Sequence, residues 1–237
     1  MRVSDVLMVA IGILSLAGAS CGSDSATPVS PTPQPSNSLT NAPPANRRPA
    51  ITAAIATPGS GISTLTTYAF SASATDPDGD ALTYSWDFGN GAGSSNSSAS
   101  VVYTNANTFT YQPTVTVRDP SGETASATLS VRSVSIGGEW QGTINGIPIS
   151  AHMTQYLGGI VDGTWQMPTL GGVGEIGPTG EPGKIQANGQ FELRFKVRVG
   201  SYSDFYYRGS ISADGTTLNG TLQGSGFTGE VMILNKR

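Results

Sequence analysis

The chain has 237 residues, 37% of them hydrophobic, enough to bury a core and an expectation of one or two domains. Only 12% are charged and the net charge of −4 contains no basic block, so the electrostatic footprint that nucleic acid demands is missing. Solubility must then rest on Ser, Thr, Asn and Gly, as in β-rich extracytoplasmic proteins, and the single cysteine excludes both an intramolecular disulfide and a Cys-based zinc site.

At the N-terminus, Arg2 precedes the apolar run from Val6 to Leu16, and the small residues Ala17-Gly18-Ala19-Ser20 lead to Cys21. The run is too short for a membrane span, so residues 1–20 read as an export signal, helical while it lasts, followed by a cleavage site. The segment Ala17 to Cys21 resembles the lipobox of bacterial lipoproteins, with Gly18 where Leu or Val is usual. The resemblance implies that Cys21 is acylated and becomes the mature N-terminus, anchoring the protein to a membrane of the cell envelope. Gly22 after it gives no signal for inner-membrane retention, which leaves the outer membrane or cell surface; the alternative is an ordinary secretory signal and a secreted protein. Residues 21–47 are Pro, Ser, Thr and Asn with almost no large apolar group, a disordered tether that reaches tens of ångströms at about 3 Å per extended residue.

A first folded domain is expected over residues 48–134. Ile51 to Ala56 makes a first strand, and Tyr68, Phe70, Ala72 and Ala74 alternate with small residues in a second. Leu82, Tyr84, Trp86 and Phe88 then alternate with Thr83, Ser85 and Asp87, so an extended backbone puts every large apolar group on one face. Turn residues bracket that strand, Asp76-Pro77-Asp78-Gly79-Asp80 before it and Gly89-Asn90-Gly91 after it. Gly91 to Ser98 reads as a loop, Val101 to Tyr103 as a short strand. Phe109, Tyr111, Pro113, Val115 and Val117 share one parity, the inward one, and Ala125, Ala127, Leu129 and Val131 close the sheet after the turn at Asp119 to Gly122. Short strands at this spacing predict an antiparallel sandwich. The stretch Tyr84-Ser85-Trp86-Asp87-Phe88-Gly89-Asn90-Gly91, with Thr114 to Asp119 and Gly122 downstream, resembles the signature of PKD-type domains, Asn90 standing where Asp is usual. The resemblance implies an immunoglobulin-like sandwich acting as spacer or adhesion unit, and it is nearly silent about chemistry.

Residues 138–237 form a second module, a meander of eight strand candidates: Glu139 to Ile144, Ile147 to Tyr156, Gly159 to Met167, Gly183 to Ala187, Gln190 to Val199, Asp204 to Ala213, Thr216 to Gln223 and Phe227 to Leu234. Hairpin signals such as Asn145-Gly146, Asn188-Gly189 and Asp214-Gly215 separate them. Closing such a meander removes its exposed edges and predicts a small antiparallel up-and-down barrel, with Pro168 to Gly183 as a long mobile loop over one end. Gly138-Glu139-Trp140 and Gly163-Thr164-Trp165 are similar to the Gly-x-Trp openings of lipocalin- and avidin-like barrels. Short Gly-broken strands and the absence of paired aromatic girdles argue against an outer-membrane barrel. The fold class is therefore all-β throughout.

Few residues bear chemistry. Asp76, Asp78 and Asp80 either converge on calcium or serve only to make a turn; no other cofactor is expected. His152 shares the polar parity of its strand with Ser150 and Thr154, and with no nucleophile elbow or paired carboxylates in the sequence no enzyme is expected. An enzyme built on His152 would need a carboxylate beside it in a cleft. Trp140, Trp165, Tyr202, Tyr206 and Tyr207 are the ligand-binding candidates, because aromatic rings stack on sugars or line barrel cavities; they are also ordinary core material. Two functional expectations follow, both non-catalytic. In one, an envelope protein, membrane-bound through its acyl chains, displays a PKD-like domain for contact with a glycan or a surface protein. In the other, a lipocalin-like carrier holds a small apolar molecule, its cavity lined by Leu193, Phe195, Val197 and Trp140.

Overall fold

The computed structural model describes residues 44–237 apart from 178–179, 199–202 and 225. The expected signal, Cys21 with its expected acylation and most of the expected tether lie outside the described residues, as does Tyr202.

The first half is a sandwich. One sheet consists of β1 (Ala50–Thr57), β3 (Thr67–Thr75) and β6 (Ser98–Val102), with β2 (Ser60–Ile62) lying elsewhere. The facing sheet consists of β4 (Thr83–Asp87), β5 (Gly93–Ser94), β8 (Thr114–Arg118) and β9 (Thr124–Thr128), ordered β5-β4-β8-β9. Between them sits the aromatic core that the two-residue period dictates: Tyr68, Phe70, Trp86 and Phe88 with Val115 and Val117, all buried. Phe70 lies 5.6 Å from the Trp86 ring and 5.0 Å from that of Phe88.

Three details of this half depart from the expected pattern. The presumed loop after Gly91 contains β5, because Gly93 and Ser94 pair with Asp87 and Trp86. The strand from Phe109 to Val117 is broken at Gln112-Pro113, since proline has no N–H to give a ladder. Its first piece, β7 (Phe109–Tyr111), joins a third small sheet with β2 and β10 (Val131–Val134), and Phe109 ends up 49% exposed while Tyr111 is buried. The last stretch likewise does not close one sheet: β9 ends at Thr128, and the chain crosses to the third sheet as β10.

The second half is a closed eight-stave barrel. Its strands are β11 (Gly138–Ile144), β12 (Ile147–Gln155), β13 (Ile160–Met167), β14 (Gly172–Ile176), β15 (Gly183–Ile185), β16 (Gln190–Val197), β17 (Phe205–Ile211), β18 (Thr217–Gly224) and β19 (Phe227–Lys236). Successive staves pair antiparallel, β14 and β15 together making one stave, and β19 returns to β11, as Trp140 opposite Lys236 records. The loop expected over Pro168 to Gly183 is in fact a stave: β14 and β15 both pair with β13 on one side and β16 on the other, interrupted by residues 177–182. Glycine obscures the strand in the sequence but suits the barrel, because a side chain at Gly174 would collide with the Lys196 carbonyl and the Trp165 indole.

The two halves share one core. Ile62 of β2, Val134 of β10 and Ile136 belong to the same buried cluster as the barrel interior. Gln155, 2% exposed at the end of β12, ties them together: its Nε2 donates to the Ser63 carbonyl at 2.7 Å and its Oε1 accepts from the Ile136 N–H at 2.9 Å. Nearby, Arg132 Nη2 donates to the Asp214 carbonyl at 2.6 Å and Lys236 Nζ to the Ser135 carbonyl at 3.0 Å. The sandwich thus closes one barrel end.

Candidate functional site

The barrel interior is filled by its own side chains. Trp140, Leu193, Phe195, Tyr207, Leu218, Leu222, Met232 and Leu234 are all fully buried. Trp140 donates its indole N–H to the Ile136 carbonyl at 2.8 Å, and the Tyr207 hydroxyl lies 2.9 Å from the carbonyls of both Leu218 and Met232. Burial pushes the Tyr207 phenol above its ordinary range. The cavity expected among Leu193, Phe195 and Trp140 is therefore a packed core, because these large groups meet across a narrow eight-stranded barrel.

Space remains at the end opposite the sandwich. There the hairpin ends of β11 and β12, β13 and β14, and β18 and β19, with the adjoining ends of β16 and β17, surround a pocket of about 150 Å³ lined by Ile144, Asn145, Ile147, Trp165, Met167, Leu170, Gly172, Val197, Phe205 and Phe227. Asn145 and Gly146 both take positive φ, 49° and 81°, the backbone that a two-residue hairpin turn requires, and this places Asn145 on the rim. Trp165 forms one wall, 3% exposed, with its indole N–H satisfied by the Lys196 carbonyl at 3.2 Å across the side-chain-free Gly174. Its ring meets Phe205 edge-on at 5.4 Å, Phe205 meets Phe227 edge-on at 5.2 Å, and Phe205 stacks on Phe195 at 4.9 Å below. Asn145 is the one polar side chain among the described lining residues.

Of the sequence candidates, Trp165 lines this pocket, whereas Trp140 and Tyr207 are core and Tyr206 points outward, half-buried, with the Arg208 guanidinium 5.1 Å from its ring centre. The Asp76, Asp78 and Asp80 carboxylates do not gather into a cation cage. Asp76 Oδ1 instead accepts from the Asp78 and Asp80 N–H groups, and Arg47 holds Asp78 through its own N–H and its guanidinium, which lowers the Asp78 pKa. Among the described residues no three His, Cys, Asp or Glu side chains are placed to hold a metal. His152 does have a carboxylate beside it, Glu139 Oε1 at 2.6 Å, on a shallow outer groove with Ser150, Thr164, Gln166 and Arg198. Both side chains are more than half exposed, which makes the pair a solvated surface contact.

Two groups of functional weight escape a reading by residue type. Gln155 occupies the inward parity of β12 after Ile149, Ala151 and Met153, and a polar residue in that register was the available signal. Phe227 is the other: Phe205 already stands in the second module's aromatic stock by residue type, but nothing in the local sequence of either tells that both face one pocket.

An all-β chain in which a sandwich carries a closed eight-stave barrel is what the fold defines. The sandwich is a PKD-type, immunoglobulin-like domain: residues 46–133 match the family model of the PKD domain. The crystal structure of the PKD1 domain of Vibrio anguillarum Epp is similar at 26% identity and a TM-score of 0.31, covering 38% of this chain and 99% of that one. A structure of carbohydrate-binding modules from the β-sandwich superfamily is similar at 15% identity and a TM-score of 0.36, covering 81% of this chain and 92% of that one. Comparison with curated proteins gives no match.

Proposed function

We propose that the protein is an exported, lipid-anchored, non-catalytic binding protein of the cell envelope, in which the PKD-type domain is a rigid mount and the barrel carries the binding site. The observation that carries this reading is the apolar pocket at the barrel end away from the mount, walled by Trp165, Phe205 and Phe227. Its placement supports display. Asn46 and Arg47 bond to Asp119 and Asp78, so the chain enters at the sandwich end formed by the Asp76 and Asp119 turns, whereas the barrel joins at the other. The anchor itself rests on the lipobox-like Ala17 to Cys21 and the long Pro-rich stretch after it.

Between the two expectations, apolar capture fits this geometry better than glycan stacking. Trp140, Trp165 and Tyr207 face inward and the outward Tyr206 has the Arg208 guanidinium over its ring, whereas a sugar-binding platform needs free rings on an accessible face. The test is to titrate the purified protein with small apolar compounds while following tryptophan emission, with Trp165→Phe to assign the change, and to probe the same protein on immobilised glycans. Apolar compounds should shift the emission. An emission unmoved by any apolar compound would refute the reading, and glycan capture beside it would return the function to glycan contact.

A further inference from the structure

We infer that the pocket takes a single uncharged aromatic ring and not an extended acyl chain; this rests on the binding role proposed above and specifies its ligand. Size is the first argument. A cavity of about 150 Å³ lined by Leu, Ile and Phe holds one benzene, whereas sites for drug-sized ligands begin at about 300 Å³. The pocket is of the former size.

The floor fixes that limit. Beneath Trp165 and Phe205 lie Phe195, Leu193 and Tyr207, each 0% exposed, so no channel continues into the barrel for a longer chain to follow.

Shape is the second argument. Trp165, Phe205 and Phe227 already form a run of edge-to-face contacts at 5.4 and 5.2 Å that ends at the free space, and another ring extends such a run with its positive edge against a negative face. Charge is the third. Among the described lining residues none is charged, the Trp165 N–H is already taken, and only the Asn145 amide is left to meet a hydroxyl or carbonyl on the ring. A carboxylate placed there would lose its water without gaining a partner.

The ring has two chemical sources, a free small aromatic or an aromatic side chain on a peptide, and the experiment separates them. Toluene, benzyl alcohol, benzoate, the alkanols from butanol to decanol, and N-acetylphenylalanine amide are titrated against the whole protein, read by tryptophan emission and by methyl shifts of Ile144, Ile147 and Leu170. Toluene and benzyl alcohol should bind at least tenfold tighter than benzoate, and the alkanol series should level off near six carbons. Binding of the capped phenylalanine at toluene-like affinity assigns the ring to a peptide; binding of toluene alone assigns it to a free molecule.

Gly172 supplies the control. A Cβ added there would sit 3.4 Å from the Trp165 ring, ordinary contact inside the pocket, in an extended backbone that any residue adopts. Gly172→Val should weaken toluene at least tenfold, and Gly172→Ala, the gentler change, should weaken it less while keeping the melting temperature. Affinity climbing steadily to decanol, or benzoate binding as well as toluene, overturns the inference and leaves the apolar-binding role standing. Failure of every apolar compound overturns both.

Discussion

Gln155 shows how one buried polar side chain couples two modules. Its amide satisfies the Ser63 carbonyl and the Ile136 N–H at once, inside a boundary where water is excluded. Leucine has similar volume but offers neither bond, so Gln155→Leu leaves two buried backbone groups without partners, at about 1–3 kcal/mol each. The expected outcome is a melting temperature lower by several degrees, at about 2–4 °C per kcal/mol for a unit of this size. An unchanged value in differential scanning fluorimetry would contradict the role given to this residue. At Asp214, by contrast, the carboxylate lies outside the core and is held at about 2 by the Ser212 and Thr216 hydroxyls and the Thr216 N–H. The turn that presents its carbonyl to Arg132 therefore keeps its charge except in strong acid.

Elements in the barrel are spaced by glycine as much as by side chains. Gly209 of β17 faces Gly220 of β18, and a Cβ on Gly220 would fall 2.3 Å from the Arg208 carbonyl and 2.7 Å from the Tyr207 ring. The two strands approach because neither carries a side chain at that rung, and Tyr207 fills the room beneath. Gly220→Ala must push the ring or the strand aside, an overpacking cost of about 1–3 kcal/mol. Gly59, with nothing within 4 Å of an added Cβ and no unusual φ, is the matched comparison. Denaturant midpoints should fall for Gly220→Ala and stay put for Gly59→Ala; equal midpoints would show that the close approach is relieved at no cost. The same logic explains β14, where Gly172 and Gly174 leave room for the Trp165 ring and pairing on both sides, with β13 and β16, holds the glycines in a strand.

The whole molecule behaves as more than two beads on a string. Ile62, Val134 and Ile136 of the sandwich and linker lie within the barrel's own buried cluster, so unfolding either half exposes apolar surface of the other. Residues 44–237 should therefore melt in a single transition, with calorimetric and van't Hoff enthalpies in agreement. Two resolved transitions would mean that the shared core contributes little. Rigidity of this kind matters for the proposed role, since it holds the pocket at the barrel end facing away from the sandwich.

Strand periodicity marked most strands of both modules in the chain alone, while β5 and β14, both rich in glycine, escaped it. The alternation of Tyr68, Phe70, Trp86, Val115 and Val117 marks the inner face of the sandwich, and that of Leu193 and Phe195 the inner face of the barrel, because a pleated strand sends successive side chains to opposite sides whatever surrounds it. Turn glycines and asparagines likewise marked the hairpins, since only certain residues accept left-handed backbone. What the tertiary structure alone decided is where inward-facing groups from distant strands meet. Closure brings Trp165, Phe205 and Phe227 to one pocket, fills the expected cavity with Trp140 and Phe195, and seats Gln155 between the halves. Periodicity is a property of a strand by itself; a pocket is the volume left over after all the strands have packed.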